Sequence, residues 1–288
     1  TISPQDIDDE EFSLVIDKAN YFAFKVDDIE EAHSHINFQS LASDRAAYRL
    51  KDQYDQEVLG YLSGFKQSAL HGVADTANTT VNGTKAVSTA GSDELLSSMK
   101  IDASDFGDGD GSTGSASNSI VLQPRAGGAT DTTPADGNTF PLTLIARMSR
   151  KLDQQNVDSA NRWLVVDPVF VELLKDEDSR LFNADFGGNT GGLQNGMVLN
   201  NLHGFKVYMS NNLPTVGTGP GTNAASNTSN YGVIVAGHSS AIATAEQINK
   251  TETYRDPDSF ADIVRGMHLY GRKILRPEAI TTAIYNIA

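Results

Sequence analysis

The stretch DFGDGDG, residues 105–111, sets three carboxylates, Asp105, Asp108 and Asp110, within six positions. Hard oxygen donors at such spacing suit a calcium or magnesium ion, and the same letters open the magnesium motif of protein kinases. The kinase reading fails because no glycine-rich phosphate loop or HRD catalytic loop accompanies it. The calcium-loop reading is half met. Counted from Asp108, the sixth position should be glycine and the twelfth a carboxylate, yet the sequence has Thr113 and Ser119 there. Asp105, Asp108 and Asp110 are the candidate metal ligands, weighed against a solvated acidic loop. Together with His71 they would form the centre of a metal-assisted hydrolase.

Other chemistry is thinner. GHSSA, 237–241, lacks the second glycine of a nucleophile elbow and reads as a strand end with a Ser cap. The six histidines form no HxxxH or HExxH helical pair, and His33 with His35 reads as two exposed imidazoles. No phosphate-binding loop or dinucleotide fingerprint is present. Carboxylate pairs for glycoside hydrolysis depend on a separation in space that sequence does not give. No catalytic residue and no cofactor site is assigned.

Composition narrows the classes. The 288 residues hold 39% hydrophobic residues, enough for one large domain or two smaller ones, and no cysteine, so disulfides, thiol chemistry and thiolate zinc sites drop out. No run reaches the roughly 18 apolar residues of a membrane span. No secretion signal opens the chain, so the four Asn-x-Ser/Thr sequons carry no weight, and a start at Thr1 reads as processing or a fragment boundary. The net charge of −15 disfavours binding to nucleic-acid phosphate through basic patches. Residues 1–35 hold ten acidic residues against Lys18 and Lys25, a solvated arm or a surface for a basic neighbour.

Periodicity places the elements. Residues 12–26 are aromatic, β-branched and partly alternating, which predicts one or two strands. From about Asn37 to Ser63, Ala47, Leu50, Tyr54, Val58 and Tyr61 mark a helical stripe, with Gly64 as a stop. Such a helix spans about 36 Å, the length of a strut. Residues 72–139 turn to Gly, Ser, Thr, Ala, Asn and Asp, broken only by short islands such as Leu95-Leu96 and Ile120–Leu122; they read as loops with short strands, a surface excursion. A helix resumes at Pro141, with Leu142, Ile145, Met148 and Leu152 in phase to about Asn156. In NRWLVVDPVFVELLKDEDSR, 161–180, a buried strand meets Asp167-Pro168 and turns into a helix, with Asp as cap and Pro in the first turn. Gly187-Gly188 and Gly191-Gly192 read as a loop tip. Strands follow at 203–210 and 231–237, and again from Met267 to Ile287, where Ile280, Thr282 and Ile284 alternate.

Three of these stretches, taken in order, resemble the major capsid proteins of tailed bacteriophages, the Hong Kong 97-type shell fold. SLVIDKANYFAFKVDDIEEAHSH (13–35) is similar to the strand-and-turn block before that family's spine helix. NRWLVVDPVFVELLKDEDSR resembles the strand-to-helix segment of the axial domain. DSFADIVRGMHLYGRKILRPEAITTAIYNI (258–287) is similar to the family's C-terminal peripheral-domain strands. The resemblance implies an α+β fold with a peripheral domain, built on the long helix and β-strands, and an axial domain in which helices flank a sheet. On it, 1–33 is the returning strand of an extended loop with the start of the peripheral domain, 34–71 the spine helix, 72–139 an elaborated axial segment or insertion, 140–239 the axial domain, and 240–288 the closing peripheral strands. It also implies a missing N-terminal arm and outgoing loop strand.

The implied function is structural, with no enzyme activity, metal or cofactor. Copies of the chain assemble through heterologous contacts into pentamers and hexamers of an icosahedral head shell, in the host bacterial cytoplasm and then in the virion. Scaffold, portal and decoration proteins are implied partners; packaged double-stranded DNA is met only by weak or non-specific contact, and no membrane is involved. Rival readings are an encapsulin-type compartment enclosing protein cargo, the metal-assisted hydrolase above, and a sugar-binding or adhesive module on the Ser/Thr/Asn-rich loops.

Overall fold

A computed structural model describes residues 13–27, 38–63, 95–101, 103–106, 120–122, 138–175, 202–216, 231–257 and 259–287. The chain divides into two units, residues 1–50 with 243–273, and residues 51–242 with 274–288.

The first unit is built on a three-stranded antiparallel sheet in the order β1 (Lys18–Asp27), β10 (Ala261–Ile274), β9 (Ile242–Arg255). Residues 13–17, inside the range predicted as strand, are not part of it. β1 runs in strict register along β10, from Lys18 opposite Tyr270 to Asp27 opposite Ala261. β9 and β10 form a long hairpin whose turn is closed by the Asp256 N–H donating to Ala261 O at 3.0 Å and Ser259 Oγ donating to Asp256 at 2.7 Å. Opposite residues of an antiparallel pair point to the same side. One face therefore collects Asn20, Phe22 and Phe24 with Val264, Gly266, His268 and Tyr270, the last four buried. Phe22 stacks on Phe24 at 5.9 Å and His268 on Tyr270 at 5.1 Å. Gly266 is required here because a Cβ would run into the Phe22 ring.

Helix α1 (Phe38–Ser63) is 26 residues long, about 39 Å, and contains no proline; its one glycine is Gly60. The strut is as read from the period, and Leu50, Tyr54, Val58 and Tyr61 of the predicted stripe are half-buried, Val58 and Tyr61 against the core. Ala47 is exposed, while Gln56, Gly60, Leu62 and Ser63 are buried. The burial is local and polar in part. Gln56 Nε2 donates to Asn212 Oδ1 at 3.3 Å, Ser63 Oγ to Gly60 O at 2.9 Å, and Tyr61 Oη accepts from the Ile274 N–H at 3.3 Å. Gly64 lies outside the described residues.

The second unit centres on an eight-stranded mixed sheet in the order β4 (Asn138–Thr139), β3 (Ile120–Leu122), β11 (Ile280–Ile287), β8 (Tyr231–His238), β5 (Arg162–Val166), β6 (Lys206–Met209). Two-residue strands β2 (Lys100–Ile101) and β7 (Thr215–Val216) flank β11 and β8. β11 is antiparallel to β8 and parallel to β2 and β3. Its predicted alternation marks no solvent face, because residues 280–283, 285 and 286 are all buried. β11 also separates from β9 and β10, so the stretch 240–288, expected to close one domain, is shared between two sheets.

Helix α2 (Pro141–Gln154) buries Pro141, Leu144, Ile145, Met148 and Leu152. It ends on Asn156 at φ 55°, a conformation asparagine tolerates, with Val157 N–H bonded to Leu152 O and Asn156 N–H to Asp153 O. Arg162, though buried, is satisfied at the same corner. Its guanidinium donates to Val157 O at 2.5 Å and Asp158 O at 2.7 Å and pairs with Asp153 at 2.8 Å. The apolar islands of the polar segment enter the core instead of lying on the surface. Leu95, Met99, Ile101, Ile120 and Leu122 are all buried.

Candidate functional site

The sequence's sharpest local signal, Asp167-Pro168, forms the predicted turn between β5 and helix α3 (Pro168–Leu174). Asp167, 4% exposed, accepts from the Phe170 N–H at 3.1 Å, the capping bond expected of it. Tyr285 Oη, from the middle of β11, donates to the same carboxylate at 2.5 Å, and its ring meets Phe170 edge-on at 5.5 Å. Burial pushes the Asp167 carboxyl above its ordinary value of 3.8, against the bonds from Tyr285 and Phe170, which favour the charged form. Burial and then the charge of Asp167 raise the Tyr285 phenol, keeping it a donor. The three groups answer one another: a cap, a phenol and a ring pin α3 to the central strand. Sequence reasoning found the cap; Tyr285 lies 118 residues away, and no local pattern points to it.

Of the metal candidates only Asp105 lies among the described residues. Asp105 lies in a short 3₁₀ turn, 103–106, and pairs with Lys151 Nζ on α2 at 2.8 Å; the same ammonium donates to Ser98 O at 3.0 Å, and Arg147 lies over the Phe106 ring at 4.9 Å. These contacts fasten 95–106 to α2. Asp108, Asp110 and His71 lie outside the described residues, as do His33 and His35. Among the described residues no group of three or more His, Asp or Glu could hold a metal ion.

At GHSSA the strand end is present, but His238, not a serine, is the cap: the Ser240 N–H donates to its Nδ1 at 3.2 Å. Ser240 Oγ also lies 2.7 Å from that nitrogen. With the ring nitrogen held by its own turn, and no carboxylate paired with His238 among the described residues, the pair reads as local turn chemistry.

What the surface offers instead is area. Tyr21 (80% exposed), Phe260 (79%) and Met267 (41%) stand out on the three-stranded sheet and its hairpin turn; Tyr208 and Met209 do so on β6, the edge of the larger sheet. Large exposed apolar side chains on sheet faces and edges are features of proteins that meet other chains.

The chain belongs to the phage capsid protein family, whose model matches residues 10–283. Solved structures share its fold. One is from Mycobacterium phage Che8, 24% identical, covering 99% of this chain and 76% of that one, with a TM-score of 0.60. The capsid of the cyanophage P-SCSP1u is 18% identical over 96% of this chain and 73% of that one, TM-score 0.59. The capsid of Ralstonia phage GP4 is 12% identical over 94% and 73%, TM-score 0.58. No curated protein matches the sequence. The α+β fold is thus that of phage capsids, and the chain is a structural major capsid protein of the head shell.

Proposed function

We propose that copies of this chain join head to tail, through heterologous contacts that close by rotation into pentamers and hexamers, to form an icosahedral shell of the Hong Kong 97 type around double-stranded DNA. The family match across residues 10–283 carries this reading. The three-stranded sheet with the first part of α1 serves as the peripheral domain. The eight-stranded sheet with α2 and α3 serves as the axial domain, and the polar segment 72–139 elaborates it. The chain performs no catalysis. It assembles in the host bacterial cytoplasm, with scaffold, portal and decoration proteins as candidate partners. Its charge of −15 supports a lining to which DNA does not adhere tightly.

The experiment is electron microscopy of particles purified with this chain, alongside its mass by size exclusion. Closed icosahedral shells with rings of five and six are expected. Shells filled with protein cargo and no genome would move the reading to a compartment. A chain that stays monomeric under every condition, with any scaffold, would overturn it.

A further inference from the structure

At the end of β8 a histidine holds a position that only one of its charge states can fill. His238, extended at φ −105° and ψ 151°, caps the single 3₁₀ turn Ser239–Ala241. Two groups of one residue converge on its Nδ1, the Ser240 N–H at 3.2 Å and Ser240 Oγ at 2.7 Å. An imidazole nitrogen accepts only through its lone pair, so the cap requires the neutral ring with its proton on Nε2. Common caps such as asparagine and serine accept through oxygens that keep their lone pairs at every physiological pH, whereas imidazoles take up a proton at about pH 6.5. The turn also carries more than itself. Ala241, fully buried, is its last residue, and its carbonyl accepts the Leu275 N–H at 2.8 Å and the Arg276 N–H at 3.3 Å. β9 starts at the next residue, Ile242, and β10 ends at Ile274, so these two bonds clasp the hairpin at its root.

Protonation inverts the site. Nδ1 then carries a hydrogen, Ser240 Oγ turns to accept it, and the Ser240 N–H faces another donor. The surroundings give the charged ring no compensation. Arg162 stands opposite His238 on β5, so a second cation lies on the same face, its guanidinium held by Asp153 and by Val157 O and Asp158 O. Beside the turn Pro277–Ala279, which packs against 239–241, Arg276 and Glu278 pair with each other at 2.9 Å. On β11, Ile280 lies opposite Gly237 and carries no charge.

We infer that His238 makes the turn 239–241, and with it the clasp at the root of the β9–β10 hairpin, sensitive to acid: the neutral ring holds them closed and the protonated ring releases them. Every bond involved lies within one chain, so the device is independent of how copies assemble.

The test is amide hydrogen exchange on the full chain at pH 7.5 and pH 5.0, read residue by residue by mass spectrometry, with each rate divided by that of the free peptide at the same pH. Protection of the Ser240, Leu275 and Arg276 amides should fall about fivefold on acidification of the wild type. It should stay level in His238→Asn, whose amide oxygen caps at either pH. His203→Asn, in a separate turn at φ 50°, should respond as the wild type does. A wild type whose protection is unchanged, equal responses of wild type and His238→Asn, or a response lost in His203→Asn would each overturn the proposal. Nitrogen-15 spectra of the histidine-labelled wild-type chain, with His238 assigned through its backbone, give a reading that needs no variant. Nδ1 bare and Nε2 protonated at pH 7.5 is expected; the opposite tautomer, or a ring already charged at that pH, would overturn it.

Discussion

Tyr285→Phe isolates the bond between the central strand and the α3 cap, because it removes one oxygen and keeps the ring. The edge-on contact with Phe170 survives, as does the Phe170 N–H bond to Asp167. What disappears is a buried hydroxyl donating to a carboxylate, worth about 1.5–3 kcal/mol when the acceptor is charged and about 1 kcal/mol when it is neutral. For a chain of this size that corresponds to a drop of roughly 3–10 °C in melting temperature near neutral pH. The pH dependence is the sharper signature. Burial raises the folded-state pKa of Asp167 above the unfolded value of 3.8, so the folded protein holds this proton more tightly. The contribution of Asp167 is then fully present below pH 3.8 and is lost as pH rises through the raised value. Tyr285 opposes that rise, so removing it lifts the carboxyl further, and the variant should lose most relative to wild type once Asp167 ionises. Urea unfolding of unassembled wild-type and variant chains, from pH 4 to 8, reads the difference. A deficit that is flat with pH, or below about 0.5 kcal/mol throughout, would refute the reasoning.

Three further outcomes are expected. Gly266→Ala drives a Cβ into the Phe22 ring and should destabilise by about 1–3 kcal/mol, with Phe22→Leu in the same chain restoring much of the loss in thermal melts. Lys151→Met releases both Asp105 and Ser98 O, and limited proteolysis should then cut within 95–106 faster than in wild type, with a stability loss of about 1 kcal/mol. Burial lowers the Lys100 ammonium to about 8, so its contribution is present above the unfolded value of 10.5 and lost as pH falls through 8. Lys100→Met should accordingly stabilise the chain at pH 7 by about 1 kcal/mol and gain nothing at pH 10.5, as judged by urea midpoints.

The elements legible in the sequence are those whose signal is local. Asp167-Pro168 gave the cap because the capping bond spans three residues, and α2 was visible because its four apolar positions share one face. α1 was readable as a helix from composition and period, and four residues of its stripe are half-buried, yet the full burial of polar Gln56 and Ser63 was not legible, because it goes with hydrogen-bond partners and not with hydropathy. In β11 the alternation of Ile280, Thr282 and Ile284 singles out no face, because polar Thr281, Thr282 and Asn286 are buried as well. Thr281 is buried by donating to Met99 O at 2.7 Å, a partner 182 residues away. For the same reason Ile120–Leu122 reads as an island in a loop: neighbours in sequence do not reveal that β11 pairs with it. Nor does the sequence around Asp105 show its ion-pair partner, Lys151, which lies on a distant helix.

The place of β11 in its sheet bears on the order in which the protein can be made. A ribosome extrudes β3, β5 and β8 first, yet β8 and β3 have no common neighbour until residues 280–287 emerge. At roughly 5–20 residues per second, synthesis from the end of β8 to the end of β11 takes about 2–10 s, during which β8 stands with an open edge. A chain interrupted before residue 280 never closes that edge and never supplies Tyr285 to the α3 cap. The arrival of residues 280–287 thus gates the fold itself, and a copy cut short before them lacks the frame that a neighbour in the shell would have to recognise.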